Sequence, residues 1–182
     1  MNYIIIGIFA VIIIIILYIF NYVYRTYNYL INLRMNADRQ ASHLQAHLKK
    51  KFDMIPALIE IVKGYTKHEK STLEEVIRLR SQWGAAKNIT VKTKTGNMLE
   101  SALSKLMVVH ERYPDLKADR SFMNIQNGIW HVEKELLNER KVYNKRVSFY
   151  NVKLQEFPSN IIAKMFGFEE KPFFSMEEEP SE

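Results

Sequence analysis

An uncharged apolar run at the N-terminus constrains the fold of this chain more than any other feature. Residues 3–20 read YIIIGIFAVIIIIILYIF, and no charged side chain occurs before Arg25. A helix rises about 1.5 Å per residue, so about 20 apolar residues cross the ~30 Å hydrocarbon core of a bilayer. A lone strand cannot satisfy its backbone hydrogen bonds in lipid, so the run predicts a transmembrane helix over residues 1–24.

A cleaved signal peptide is the rival interpretation of this run. Such a peptide begins with positive charge, has a shorter apolar stretch and ends at a small-residue cleavage site. The sequence shows none of these features, which favours a retained anchor. Lys and Arg begin only at Arg25, Arg34 and Arg39. The positive-inside rule therefore predicts a single-pass protein of the cell membrane with its N-terminus outside and its body in the cytoplasm.

The charge of the chain is unevenly distributed along its 182 residues. The net charge is +6, yet residues 169–182 hold six glutamates against one lysine. The sequence therefore divides into an anchor (1–24), a basic body (25–168) and an acidic tail (169–182). A basic body suits anionic lipid, nucleic acid or an acidic protein, and lipid head groups are nearest to a tethered body. The chain has no cysteine, which excludes disulfides, thiolate metal sites and cysteine nucleophiles.

Apolar residues in the body recur every three or four positions, as on one face of a helix. One stripe, from Leu30 to Phe52, extends the first helix out of the membrane, and Asp53 is expected to cap a second helix that reaches Trp83. Residues 84–97 lose the periodicity and are predicted to be a loop. A third helix is expected over about residues 97–113.

The fourth helix has the clearest pattern. It begins near Asp119 or Ser121, ends before Pro158, and carries a near-heptad apolar seam typical of a coiled coil from Phe122 to Phe157. The fold class is therefore all-α, with an N-terminal transmembrane helix followed by a long-helix antiparallel four-helix bundle. In that topology the segment Ile161–Phe174 lies near the bilayer, where it either touches the membrane interface or covers the end of the bundle.

The sequence carries only weak signals of a catalytic or metal site. His43 and His47 are four residues apart, but no third metal ligand is indicated. Glu133, Glu135 and Glu139 lack the Glu-x-x-His pattern of di-iron bundles. The run at residues 49–51, three lysines near a helix C-terminus, is typical of dipole complementation rather than of nucleic-acid binding. We predict no catalytic residue, no cofactor, no metal, no enzymatic activity and no nucleic-acid partner.

Four ordered blocks of body residues resemble the motifs of the LemA family, over about residues 25–174. The positions that carry the resemblance are Tyr27, Asn28, Arg34, Pro56, Gly64, Tyr65, His68, Glu69, Tyr113, Pro114, Leu116, Lys117, Phe122, Gln126, Tyr143, Asn144, Tyr150, Asn151, Phe157, Pro158, Gly167 and Phe168. The chain departs from the family pattern at residues 41–43 and 132–135. The resemblance implies a bacterial-type membrane protein with a short outside N-terminus and a helical-bundle body, from a family without an established enzymatic activity.

Three functions fit this sequence. The leading one is a membrane-anchored scaffold that binds another protein or a second copy of itself through exposed apolar positions on the fourth helix. The alternative is a lipid-binding or membrane-shaping protein that uses the basic body and the Ile161–Phe174 segment. An enzyme would require a pocket with convergent polar groups inside the bundle.

Overall fold

The computed structural model describes residues 2–66, 69–87 and 89–174 of the chain. Its helices are α1 (Asn2–Asp53), α2 (Ile55–Tyr65), α3 (Lys70–Ala85), α4 (Ile89–Val108), α5 (Pro114–Ala118), α6 (Arg120–Gln155) and α7 (Ser159–Met165), with a 3-10 helix at Val109–Arg112. No strand occurs in the described stretches. The predicted all-α class, with a long apolar N-terminal helix and bundle-like packing, is confirmed.

The chain forms two compact units. The first consists of Met1–Ser42 and Lys141–Phe173, and the second of His43–Arg140 and Phe174–Glu182. The predicted division into anchor, body and tail is a different one, based on charge and hydropathy, and stays a prediction. Most of the acidic tail, residues 175–182, lies outside the described residues.

The second unit has a large apolar core. α1, α2, α3, α4 and α6 all contribute buried side chains, among them Phe52, Leu58, Leu79, Leu103 and Val132. The Phe52 and Trp83 rings meet edge to face, with their centroids 4.8 Å apart. Each fully buried aliphatic or aromatic side chain contributes about 1.5–3 kcal/mol, so burial of these apolar stripes is what holds the short helices together.

The first unit has a smaller core between α1, α6 and α7. Leu30, Tyr150, Leu154 and Ala163 form it, and Leu33 and Phe168 pack against it. The apolar segment of the same unit, residues 3–20, is exposed along its whole length. By length and composition α1 can cross a membrane, and an exposed apolar surface of that size is unusual on a protein that contacts only water.

Three predictions about helix boundaries are wrong. The expected loop at residues 84–97 is helical from Ile89, where α4 begins. The expected second helix is two helices, because the backbone is extended at Thr66, where α2 ends. Asp53 does not cap α2: it is the last residue of α1, and its carboxylate accepts a hydrogen bond from Lys49 Nζ.

The long helices match their patterns more closely. α1 continues through Phe52 as predicted, and α6 begins and ends within two residues of the predicted bounds. Most of the predicted α6 seam is buried, including Phe122, Val132 and Val147. The seam prediction is wrong at its last position, because Phe157 is 80 % exposed.

Candidate functional site

The structure gathers most of the motif positions into two groups, one in each unit. In the first unit they surround residues 168–173, a segment without helix or strand that we name the C-terminal strap. In the second unit they lie around the ends of α2, α5 and α6. A third, buried group of charged side chains in the second unit was not predicted as a site.

Side chains of α6 hold the backbone of the strap. Tyr150 Oη donates to the Glu169 carbonyl at 3.0 Å, and Tyr143 Oη donates to the Pro172 carbonyl at 2.9 Å. Asn151 makes two bonds to Lys171: its Nδ2 donates to the carbonyl at 2.8 Å, and its Oδ1 accepts from the backbone N–H at 2.9 Å. These four bonds go to main-chain atoms, and Gln155 Nε2 of α6 adds one bond to the strap side chain Glu170 Oε1 at 2.7 Å. α6 therefore holds the strap mainly through its backbone.

Gly167 turns the chain from α7 into the strap. It is the described glycine with a positive φ, +66°. The Phe168 N–H bonds the Ala163 carbonyl at 2.9 Å and the Gly167 N–H bonds the Lys164 carbonyl at 3.3 Å. This is a Schellman C-cap, in which glycine supplies the left-handed backbone at little steric cost.

The turn places two phenylalanine rings against the first helix. The Tyr27 ring lies 4.8 Å from the Phe166 ring and 5.7 Å from the Phe168 ring, centroid to centroid. The Arg34 guanidinium lies 5.6 Å from the Phe168 ring centroid, which is within cation–π range. The motif positions Tyr27, Arg34 and Phe168 are therefore parts of one contact.

Burial and charge raise the pKa of both strap-holding tyrosines. For Tyr143 the larger cause is burial, followed by the nearby negative charge of Asp38. For Tyr150 burial again dominates, and the opposing effect of Arg34 does not cancel it. Both hydroxyls therefore stay protonated, and able to donate, at neutral pH.

The motif group of the second unit is built from ion pairs and a helix cap. Asp119 Oδ1 accepts from the Phe122 N–H at 2.8 Å, and its Oδ2 accepts from Tyr65 Oη at 2.8 Å. The backbone bond from Phe122, followed by the bond from Tyr65, lowers the pKa of Asp119. Asp119 is thus the N-cap of α6 and also fixes Tyr65 at the end of α2.

Two further ion pairs lie in this group. Glu69, largely buried, pairs with Arg112 Nη2 at 2.8 Å. Lys117 Nζ lies 2.9 Å from Glu111 Oε2, and that hydrogen bond lowers the pKa of Glu111. The motif residues Tyr113 and Pro114 lead into α5, and Leu116 and Phe122 are buried in the core. The group therefore fixes helix ends.

The remaining motif positions lie apart from both groups. Asn28 Nδ2 donates to the Tyr24 carbonyl at 2.9 Å within α1, and Pro56 is in the first turn of α2. Gly64 faces open space. Other positions outside the groups are Gln126 and Asn144, half-buried on α6, and the Phe157–Pro158 pair, joined by a cis peptide bond. His68 lies outside the described residues.

The unpredicted group centres on Lys51. Its side chain is 1 % exposed and its ammonium pairs with Glu100 of α4 and, at 2.8 Å, with Glu133 Oε1 of α6. Arg140 Nη2 lies 3.8 Å from Glu100 Oε1. Two cations thus balance two carboxylates. The sequence carried a signal for this group, because Lys51 is three residues after Leu48 and so falls on the buried side of α1.

A related group surrounds Glu135. His47 Nδ1, Lys50 Nζ and His131 Nε2 lie 3.3, 3.5 and 3.5 Å from its carboxylate. Burial alone would raise the pKa of Glu135, but the charges of Lys50, His131 and His47 together outweigh burial and lower it. His43 is exposed and does not join His47. Among the described residues no set of three or more His, Asp or Glu side chains could hold a metal ion.

Comparison with known proteins gives the family. Residues 40–182 match the model of the LemA family. The chain belongs to the LemA family. The resemblance inferred from the ordered motifs is thereby confirmed, while Tyr27, Asn28 and Arg34 precede the matched region.

Two kinds of relative illustrate the relationship. Protein LemA of Metamycoplasma hominis is 26 % identical over 127 residues, which cover 68 % of this chain and 57 % of that protein. Magnetosome proteins MamQ 1 and MamQ 2 of Paramagnetospirillum magneticum are each 28 % identical over 74 residues, which cover 41 % of this chain and 27 % of each relative. The chain therefore spans about a quarter of the magnetosome relatives and little more than half of the mycoplasma protein.

Proposed function

We propose that this LemA-family chain is a single-pass membrane-anchored interaction protein, and that its second unit binds an amphipathic helix of another protein. The observation that carries the proposal is an exposed apolar stripe on α6. Met123, Trp130 and Leu137 are 46 %, 63 % and 54 % exposed. We name these three residues the α6 stripe.

The spacing of the α6 stripe suits a helical partner. Its residues are seven apart, which is two helical turns, so they lie on one side of α6, next to the buried seam residues Phe122, Ile129 and Leu136 that directly precede them. Apolar residues at this spacing dock a helix by packing between its side chains. An exposed tryptophan at the middle of such a stripe is the residue type that most often dominates binding energy.

Charge around the α6 stripe indicates the chemistry of the partner. All of α6 between residues 120 and 140 is described, and its partly exposed glutamates Glu133 and Glu135 are already paired with Lys51 and Lys50. Arg120, Lys134 and three asparagines flank the stripe. An acidic partner helix is attracted by these charges, whereas a second copy of this face would bring like charges together. This favours a different protein as the partner over self-association.

The membrane part of the proposal rests on α1. Its residues 3–20 are apolar, uncharged and exposed, and they are long enough to cross a bilayer. An anchor of this kind confines the second unit to the membrane surface, where it meets membrane-bound partners at a raised local concentration. Orientation, with the body on the cytoplasmic side, follows from the charge rule alone.

The proposal is tested by isolating the tagged full-length protein from cell membranes and measuring what is retained. Trp130→Ala removes the centre of the α6 stripe, while Met98→Ala, at an exposed position on α4 of the same unit, is the matched control. Both side chains are exposed, so both variants should fold normally. We expect Trp130→Ala alone to reduce recovery of a specific acidic protein at least several-fold.

Two outcomes would overturn the proposal. Equal recovery with both variants would show that the α6 stripe does not bind. Recovery of the chain itself and of lipid alone, with no other protein, would favour the self-association or lipid-binding interpretations.

A further inference from the structure

Apolar side chains on and beside α7 are exposed on one side of the first unit. Ile161 and Met165 are 53 % and 61 % exposed and lie four residues apart, so they share one side of the helix. Phe157, just before α7, and Phe166, just after it, are also exposed. We name these four residues the α7 face.

The opposite side of α7 is packed against the protein. Ser159, Ile162 and Ala163 are buried, and Ser159 Oγ donates to the Lys153 and Glu156 carbonyls at 2.7 and 2.8 Å. α7 is therefore fixed in orientation by its inner side, and the α7 face cannot turn inward without breaking these contacts. The sequence left two roles open for the Ile161–Phe174 segment, contact with the membrane interface or covering the bundle end. The segment is divided between an inner and an outer side, because Ile162 and Phe168 pack inward while Ile161 and Met165 are exposed.

Contacts between α6 and α1 show where the α7 face lies along the axis of α1. Arg146 Nη1 donates to the Asn36 carbonyl at 3.1 Å. Lys153 follows Arg146 by seven residues in α6, and Tyr29 precedes Asn36 by seven residues in α1. Lys153 Nζ lies 6.0 Å from the ring centroid of Tyr29. The helices are thus antiparallel, and in the same register Phe157 lies close to the level of Arg25.

Arg25 is the first charged residue after the apolar run, so its level marks the end of the segment that can lie in hydrocarbon. The contact of Phe166 with Tyr27 independently places the far end of α7 within about one helical turn of Arg25. The α7 face therefore lies beside the point where α1 leaves the apolar run.

Charge near the α7 face suits lipid head groups. Lys164, between Met165 and Ala163, and Arg25 are both exposed. Of the acidic residues that flank the face in sequence, Glu156 is paired with Lys153 at 2.8 Å and Glu170 accepts a hydrogen bond from Gln155 at 2.7 Å, while Glu169 is exposed. An exposed apolar surface with cations at its edge is the pattern of segments that lie in the head-group region of anionic membranes.

We propose that Phe157, Ile161, Met165 and Phe166 lie in the interfacial region of the same bilayer that α1 spans, as a second membrane contact of the first unit. This inference rests on the proposed membrane anchoring by α1, and it goes beyond that proposal because it fixes one side of the folded unit against the lipid. The membrane, rather than another protein, is the occupant, because the α7 face lies at the level where α1 leaves its apolar run.

The absence of native cysteines allows a direct test with single-cysteine variants of the full-length protein. Ile161→Cys and Met165→Cys carry an environment-sensitive NBD fluorophore in vesicles of phosphatidylcholine and phosphatidylglycerol. Lys145→Cys is the water-exposed control on α6, and Leu17→Cys is the control within the apolar run. Nitroxide-labelled lipids then quench the fluorophores that touch the bilayer.

We expect quenching at positions 161 and 165 to be several-fold greater than at position 145, with a matching blue shift in emission. Quenching at 161 and 165 no greater than at 145, while position 17 is quenched, would overturn this inference and leave the anchor intact. Absence of quenching at position 17 would overturn the membrane anchor itself, and the α7 proposal with it.

Discussion

At the residue scale, Gly167 has a backbone that other residues adopt only under strain. Its φ of +66° completes the Schellman cap of α7. We expect Gly167→Ala to destabilise the first unit by about 1 kcal/mol, because a Cβ disfavours the left-handed conformation. Gly64→Ala is the control: its Cβ meets open space within a helix, so that change should be neutral or stabilising by up to ~1 kcal/mol. Urea unfolding of both variants in detergent gives the comparison.

Lys51 carries a buried charge that two carboxylates share. Its removal leaves Glu100 and Glu133 close together without their shared cation. We expect Lys51→Met to cost about 3 kcal/mol, since breaking a buried pair strands the remaining charge. Lys50→Met, at an exposed neighbour that pairs with Glu135, should cost under about 1 kcal/mol. Equal unfolding free energies for the two variants would contradict the assigned role of Lys51.

Asp119 links stability to pH. Its folded pKa is lower than its ordinary value of 3.8, because the Phe122 N–H and Tyr65 hydroxyl bond the carboxylate. A lowered pKa gives stability that is present above the ordinary value and is lost as pH falls through the folded value. We expect Asp119→Asn to flatten the loss of unfolding free energy as the pH falls below about 4, relative to wild type. Asp115→Asn, at an exposed residue of α5, serves as the control, and an equal flattening there would contradict the assignment.

At the element scale, the C-terminal strap is held by side-chain bonds rather than by a helix or sheet. Asn151 satisfies both polar backbone groups of Lys171. We expect Asn151→Ala to cost about 2 kcal/mol and to accelerate hydrogen exchange at the Lys171 amide about tenfold or more, since two bonds to a half-buried segment are lost. Asn138→Ala, at an exposed position on α6, should leave that amide unchanged. Unaltered exchange in Asn151→Ala would show that the strap is held by other contacts.

Helix patterns predicted the long elements and failed at the short ones. Stripes in α1 and α6 repeat over many turns, so their bounds followed from periodicity. The start of α4 was missed because threonines and Gly96 suggest a loop, whereas packing decides it: a Cβ on Gly96 would lie 3.4 Å from the Trp83 ring, and Lys92 Nζ lies 4.6 Å from that ring's centroid. Contacts with a distant tryptophan are not visible in local sequence.

The candidate sites were predictable only in part. Motif order identified Tyr143, Tyr150 and Asn151 but gave no role, because their partners are backbone atoms 19 to 29 residues away that no local pattern reveals. The Lys51 group was missed because a lysine within a basic run is usually solvated. Its position on the apolar side of α1 was the sign that it is buried.

At the scale of the whole molecule, we propose different partners for two surfaces of a chain that also carries a long apolar helix. The α7 face is proposed to meet lipid, and the α6 stripe is proposed to meet a protein. Each belongs to a different compact unit, so each can be altered without the other. The magnetosome relatives share only part of this chain's length, and what they assemble with does not define its partner.

The most direct test of the central claim is photo-crosslinking in living cells from the α6 stripe. A benzophenone side chain in place of Trp130 is compared with one in place of Met98, both in the full-length protein. The account predicts a crosslink from position 130 to one protein other than the chain itself, at an amphipathic helix with acidic flanks, and its loss on adding Leu137→Asp. Identical products from both positions, or crosslinks only to lipid and to the chain itself, would contradict it.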